Sequence, residues 1–165
     1  MKKPDTFLIG IVAGVVLLVV VTFAVALLRP KASYQAEDTP EGVAFNYLFA
    51  LQQDDYERAY SYLSPTISGY PYSVSAFMSD INDHSWTFRL DSSSTTLDVD
   101  SVKVTGNTAI VKIMETRFYE GGLFDSSEYT NFFDMTLRRN ANGDWKITEA
   151  DDYWLYCWNT GKGCD

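Results

Sequence analysis

The segment FLIGIVAGVVLLVVVTFAVALL, Phe7 to Leu28, runs for twenty-two residues without a charge. As a helix rising ~1.5 Å per residue it covers roughly 30 Å, the thickness of a bilayer's hydrocarbon core. A helix apolar on every side has no polar face to give to water, so this one is expected to cross a membrane. Lys2 and Lys3 ahead of it, with Ala24-Val25-Ala26 near its end, also fit a cleaved signal peptide, although the apolar core of such a peptide usually spans about 7–15 residues. Gly10 and Gly14 form a G-x-x-x-G pair, a pattern that lets two spanning helices approach closely and offers a dimer contact. The segment holds no cysteine, which excludes a lipid attached through a thiol there.

Around this segment the chain divides into a short cytoplasmic N-terminus at 1–6, a transmembrane helix at 7–28, a polar linker at 29–39 and an extracytoplasmic domain at 40–165. Basic residues alone leave the orientation near a tie, Lys2 and Lys3 facing Arg29 and Lys31 across the span. The cysteines break it. Cys157 and Cys164 are the only two and enclose WNTGKG, whose glycines and Asn-Thr-Gly turn chemistry let the backbone fold back far enough for a disulfide. Disulfides persist outside the cytosol. The competing reading makes them two thiolates of a metal site, which needs four ligands in a chain whose only histidine is His84. Charge agrees with an exposed acidic domain: the chain carries −9, residues 1–28 contribute +1, and the remaining −10 leaves no footprint for nucleic acid or anionic lipid.

From Thr39 onward the apolar period is that of a helix. Thr39-Pro40 reads as an N-cap with a first-turn proline, and Val43, Ala44, Tyr47, Leu48 and Leu51 share a face. Asp54 with Glu57 suggests a capping box for a second helix buried through Tyr56, Ala59, Tyr60 and Leu63, ending at Ser64-Pro65. Val74, Phe77, Met78 and Ile81 mark a third. After Ser85 the period becomes two. WTFRL alternates Trp86, Phe88 and Leu90 against Thr87 and Arg89 and is expected to be a strand. Thr105-Gly106-Asn107 and Asn142-Gly143-Asp144 are hairpin turns between strands, one of which sets Phe133, Met135 and Leu137 opposite Phe132, Asp134, Thr136 and Arg138. Helices followed by an antiparallel run make an α+β domain. The final DYWLYCWNTGKGCD is expected to extend the last strand, with Trp154, Tyr156 and Trp158 on one face.

The stretches FNYLFALQQDDYERAYSYLSP (Phe45 to Pro65), VKVTGNTAIVKI (Val102 to Ile113) and LRRNANGDWKITEA (Leu137 to Ala150) resemble the nuclear transport factor 2-like superfamily, in particular its membrane-anchored extracytoplasmic bacterial members described only as domains of unknown function. The resemblance covers roughly Pro40 to Ala150 and implies a cone, three N-terminal helices on a strongly curved antiparallel sheet. It implies little about chemistry, since the matching positions serve packing and turns.

Enzymes with that fold, isomerases and dehydratases, place a carboxylate inside the cone. Asp80, Asp83 and His84 at the end of the third helix, or Asp134, could act as general acid or base if they faced an apolar cavity. A polar cap for SDINDHS and an outward face for Asp134 are the plainer readings. Glu115 and Arg117 read as cross-strand partners. DSSSTTLDVD, Asp91 to Asp100, lacks the spacing and glycine of a calcium loop, and no nucleophile elbow, phosphate loop or dinucleotide motif occurs. No cofactor is implied. Tyr47, Tyr60, Phe77, Trp86 and Phe133 are the candidate pocket lining. Trp154, Tyr156 and Trp158 form either an exposed ring platform for a partner protein or a glycan or a cover over the sheet's open edge or the cone mouth. The chain therefore reads as a membrane-anchored binding or accessory module, with an isomerase- or dehydratase-like enzyme and a structural spacer as alternatives.

Overall fold

The computed structural model describes residues 6–28, 33–88, 94–122, 125–161 and 164, with the side chains of 6, 8, 26, 120–122, 125 and 126 excepted. It resolves into two units, Met1–Ser33 and Tyr34–Asp165. The first holds helix α1 (Thr6–Leu28), whose described side chains are all exposed. Among the described residues no helix is long and apolar enough to cross a membrane. The backbone itself is helical over 23 residues.

The second unit opens with α2 (Pro40–Gln52), α3 (Tyr56–Tyr62), α4 (Val74–Asp83) and α5 (Ser85–Phe88). The Thr39 hydroxyl accepts from the Gly42 N–H at 3.2 Å, as the Thr-Pro pair predicts. For α3 the capping side chain is Asp55, accepting from Arg58 N, one position past the expected Asp54. Ser73 caps α4. Phe77 and Ile81 of α4 are fully buried, whereas Met78 is partly exposed.

Strands β1 (Thr95–Thr105), β2 (Thr108–Gly122), β3 (Asp125–Arg139) and β4 (Trp145–Ala150) follow. They form one antiparallel sheet in the order β1-β2-β3-β4. Gly106 at φ 59° and Gly143 at φ 92° make the two predicted turns, which need a left-handed residue. Register shifts at Asp100 and Thr148 are bulges that curve the sheet around the helices. Ala109, Val111, Ile113, Phe133, Met135, Leu137 and Ile147 face the helices and are buried. Ser64 N donates to Ile147 O at 2.8 Å, tying the end of α3 to β4. The domain is α+β, helices first and a curved four-stranded antiparallel sheet after.

Two expectations fail. Residues 85–88 form a helical turn rather than a strand, so Trp86 and Phe88 do not share a face: Phe88 is buried and Trp86 is 77% exposed. Arg89 and Leu90 lie outside the described residues, as do 91–93; from Thr95 the DSSSTTLDVD stretch belongs to strand β1. The chain after Ala150 does not continue as a strand either. It bends through 151–154 and closes in α6 (Tyr156–Thr160).

The compact unit begins at Tyr34, inside the 29–39 stretch. Tyr34 OH donates to Asp55 Oδ2 at 2.9 Å, Gln35 pairs through its backbone with the Asn46 amide, and Glu37 accepts from Arg58 and Tyr62. These bonds dock residues 34–37 onto α2 and α3.

Candidate functional site

The C-terminal strap, from Asp151 on, carries the aromatic residues and sits on the helices. Trp158 at its centre is wholly buried. Its ring lies 5.6 Å from Phe77, 5.9 Å from Phe88 and 5.0 Å from Trp154, and its indole N–H donates to Asp80 Oδ2 at 2.8 Å. Its carbonyl accepts from Gly69 N at 2.6 Å. Gly69 is glycine for a reason: a Cβ there would stand 2.5 Å from Cys157 O and 2.8 Å from Trp158 Cα. Cys157 and Cys164 form the expected disulfide, their Cα atoms 5.2 Å apart, within the ordinary 4.4–6.8 Å range.

The expected single face of three rings is therefore corrected. Tyr156 and Trp158 lie in the helical turn α6, where successive residues are roughly 100° apart rather than 180°, and Trp154 lies on the bend before it, so the three rings part. Trp154 and Trp158 go inward and Tyr156 is 81% exposed. Beside the strap opens a cavity of about 420 Å³, lined by His84, Trp86 and Thr87 on one side and Trp154, Tyr156 and the Cys157–Cys164 disulfide on the other. The helical turn at 85–88 is what points Trp86 here rather than into the core.

The other residues singled out from the sequence separate into core and surface. Tyr47 is buried, its hydroxyl donating to Tyr153 O at 2.8 Å, and burial pushes its pKa well above the usual phenol range. Tyr60 reaches Pro71 O at 2.8 Å and packs on Phe77. Phe133 packs on Tyr153. Tyr47, Phe133 and Phe77 are part of the buried core, and Tyr60 packs half-buried against it. Asp80 serves the Trp158 indole, and His84 Nδ1 meets the Asp80 carbonyl at 3.0 Å rather than its carboxylate, so no Asp–His pair forms there. Asp134 lies on the outer face as alternation predicts, beside a second cavity of about 340 Å³ shared with Ser101, Lys103 and Lys112.

The buried carboxylate is one the sequence reading assigned elsewhere. Glu115 is 1% exposed on the inner face of β2, where its Oε1 accepts from Tyr153 OH at 2.7 Å and from Arg117 at 3.0 Å. Arg117 lies two positions along the same strand, so the pair is not cross-strand. Burial alone would lower the Arg117 pKa, but its bonds to Glu115 outweigh that and hold it above its ordinary value. The alternation Ala109-Val111-Ile113-Glu115 was the available signal. It places a carboxylate in line with three core residues.

No family model matches the chain, and no curated protein does. Among solved structures it is similar to a ketosteroid isomerase-like protein from Erwinia carotovora atroseptica, at 13% identity over 69% of this chain and 92% of that one, TM-score 0.47. It is also similar to an NTF2-like protein with a cystatin-like fold from Novosphingobium aromaticivorans, at 16% identity over 70% and 79%, TM-score 0.46. A third is a nuclear transport factor 2-like superfamily protein from Salmonella enterica serovar Typhimurium, at 13% identity over 70% and 89%, TM-score 0.42.

Proposed function

We propose that the chain is a single-pass membrane protein of the nuclear transport factor 2-like type, with its N-terminus inside, that displays a binding or accessory domain on the extracytoplasmic side. The uncharged helix supports the anchor and the disulfide supports the compartment. Helices followed by a curved antiparallel meander support the fold type. The observation that carries the binding role is the groove beside the disulfide. It sets two largely exposed rings, Trp86 and Tyr156, around one opening, in the volume range of small-ligand sites, ~300–1,000 Å³. A photoreactive benzoylphenylalanine at position 156 in the membrane-embedded chain tests it, with position 72, also exposed, as control. A discrete adduct at 156 and none at 72 is expected; equal labelling at both sites contradicts the reading.

An isomerase- or dehydratase-like activity has one observation in its favour, the Glu115 carboxylate held by Tyr153. Its burial and the donors already on Oε1 favour a structural bond instead. Deuterium exchange at an enolisable ketone by the wild type, lost in Glu115→Gln, would favour the enzyme.

A further inference from the structure

We infer that the groove between Trp86 and Tyr156 takes a small organic cation bearing a quaternary ammonium group. The inference rests on the binding-module reading and names the ligand class of that same site. Three rings, Trp86, Trp154 and Tyr156, line the opening together with Cys157 and Cys164. Aromatic faces present the negative side of their quadrupole, and an ammonium over them is attracted most when water is partly excluded. Trp154 is only 5% exposed and makes a dry wall; Trp86 and Tyr156 stand at the rim.

The surrounding field has the matching sign. Residues 34–165 carry −12, since residues 1–33 hold Lys2, Lys3, Arg29 and Lys31 against Asp5. No lysine or arginine occurs among the described lining residues. The Asp80 carboxylate lies beneath the strap, bound to the Trp158 indole. Such a field concentrates cations and disfavours phosphate or carboxylate ligands. A sugar is a poorer fit. Its hydroxyls require several donors and acceptors at once, and the lining side chains offer those of His84, Thr87 and Tyr156 and the Trp86 indole N–H, the Trp154 indole being bound to Asn159. A quaternary ammonium asks for none.

Choline is the probe, titrated calorimetrically into the full chain in phosphatidylglycerol nanodiscs. Binding is expected, weakened at least tenfold in Trp86→Ala and in Tyr156→Ala and unchanged in Tyr72→Ala; both groove rings are exposed, so neither truncation disturbs the core. The neutral isostere 3,3-dimethylbutan-1-ol should bind at least tenfold more weakly than choline. Equal binding of that alcohol, no binding of choline, or unchanged affinity in both groove variants overturns the inference. A cellobiose arm separates the two levels. Sugar binding lost in Trp86→Ala without choline binding overturns the cation and leaves the binding module standing, which the adduct at 156 decides on its own.

Discussion

The Tyr153 hydroxyl donates to Glu115 Oε1 at 2.7 Å across 38 positions of sequence. Tyr153 is a non-glycine residue at φ 57°, a left-handed conformation that costs of order 1 kcal/mol or more, and its carbonyl accepts from the Tyr47 hydroxyl. Three elements, α2, β2 and the strap, thus meet at one residue, α2 at its backbone carbonyl and β2 at its side chain. Removing the hydroxyl leaves a buried carboxylate short of a donor. Tyr153→Phe should therefore lose about 1–3 kcal/mol in urea denaturation. Arg117→Met, which removes two of the carboxylate's hydrogen bonds, should also lose about 1–3 kcal/mol. Losses under half a kcal/mol in both would show that Glu115 finds other partners.

Trp158 and Tyr156 are two positions apart and should behave as opposites. Trp158→Ala empties a site packed by Phe77, Phe88 and Trp154 and should cost about 3–5 kcal/mol. Tyr156→Ala, on an exposed ring, should stay within about 0.5 kcal/mol. Denaturant midpoints of the two variants settle this, and similar losses would contradict the division into anchor and rim.

Gly69→Ala should undock the strap, because the new methyl meets backbone atoms of Cys157 and Trp158. A cost of about 1–3 kcal/mol is expected, together with faster proteolysis after residue 150. Breaking the disulfide with Cys157→Ser and Cys164→Ser together opens a loop with a separation of seven residues and should cost about 2.5 kcal/mol on the chain-entropy estimate.

Glu37 provides a pH handle. The Arg58 bond, then the Tyr62 hydroxyl, holds its pKa below the ordinary 4.5. A depressed carboxylate contributes stability above its unfolded value and loses it as pH falls through the lower, folded one. The melting-temperature advantage of wild type over Glu37→Gln should be present at about pH 6 and shrink toward pH 3. Its size should be small, since the side chain is 55% exposed and solvent screens the pair. An advantage that grows on acidification would reverse the sign.

Much of the fold was legible because its signals are local. Thr39-Pro40 caps α2, Gly106 and Gly143 turn the hairpins, and Phe133, Met135 and Leu137 alternate inward as the period demands. The misreadings share a different cause. Five residues of WTFRL match a strand and a helical turn equally well, and the burial of Phe88 against Trp158 depends on a residue seventy positions away. The strap's path depends on Gly69, a turn residue by composition and a docking surface only in three dimensions. Glu115 sat in an inward register that its strand's alternation showed, but its partner Tyr153 lies in that same strap, so the bond that satisfies it could not be assigned before the strap was placed.

Every proposal about the groove presumes that it is displayed outside the membrane. Intact cells treated with a membrane-impermeant amine reagent decide that. Lys103 and Lys112 are exposed on the sheet and should be modified, while Lys2 and Lys3 should stay unmodified until the cells are opened. Labelling of Lys2 and Lys3 with protection of Lys103 and Lys112 would place the domain inside, and labelling of neither pair until lysis would leave no extracytoplasmic face at all.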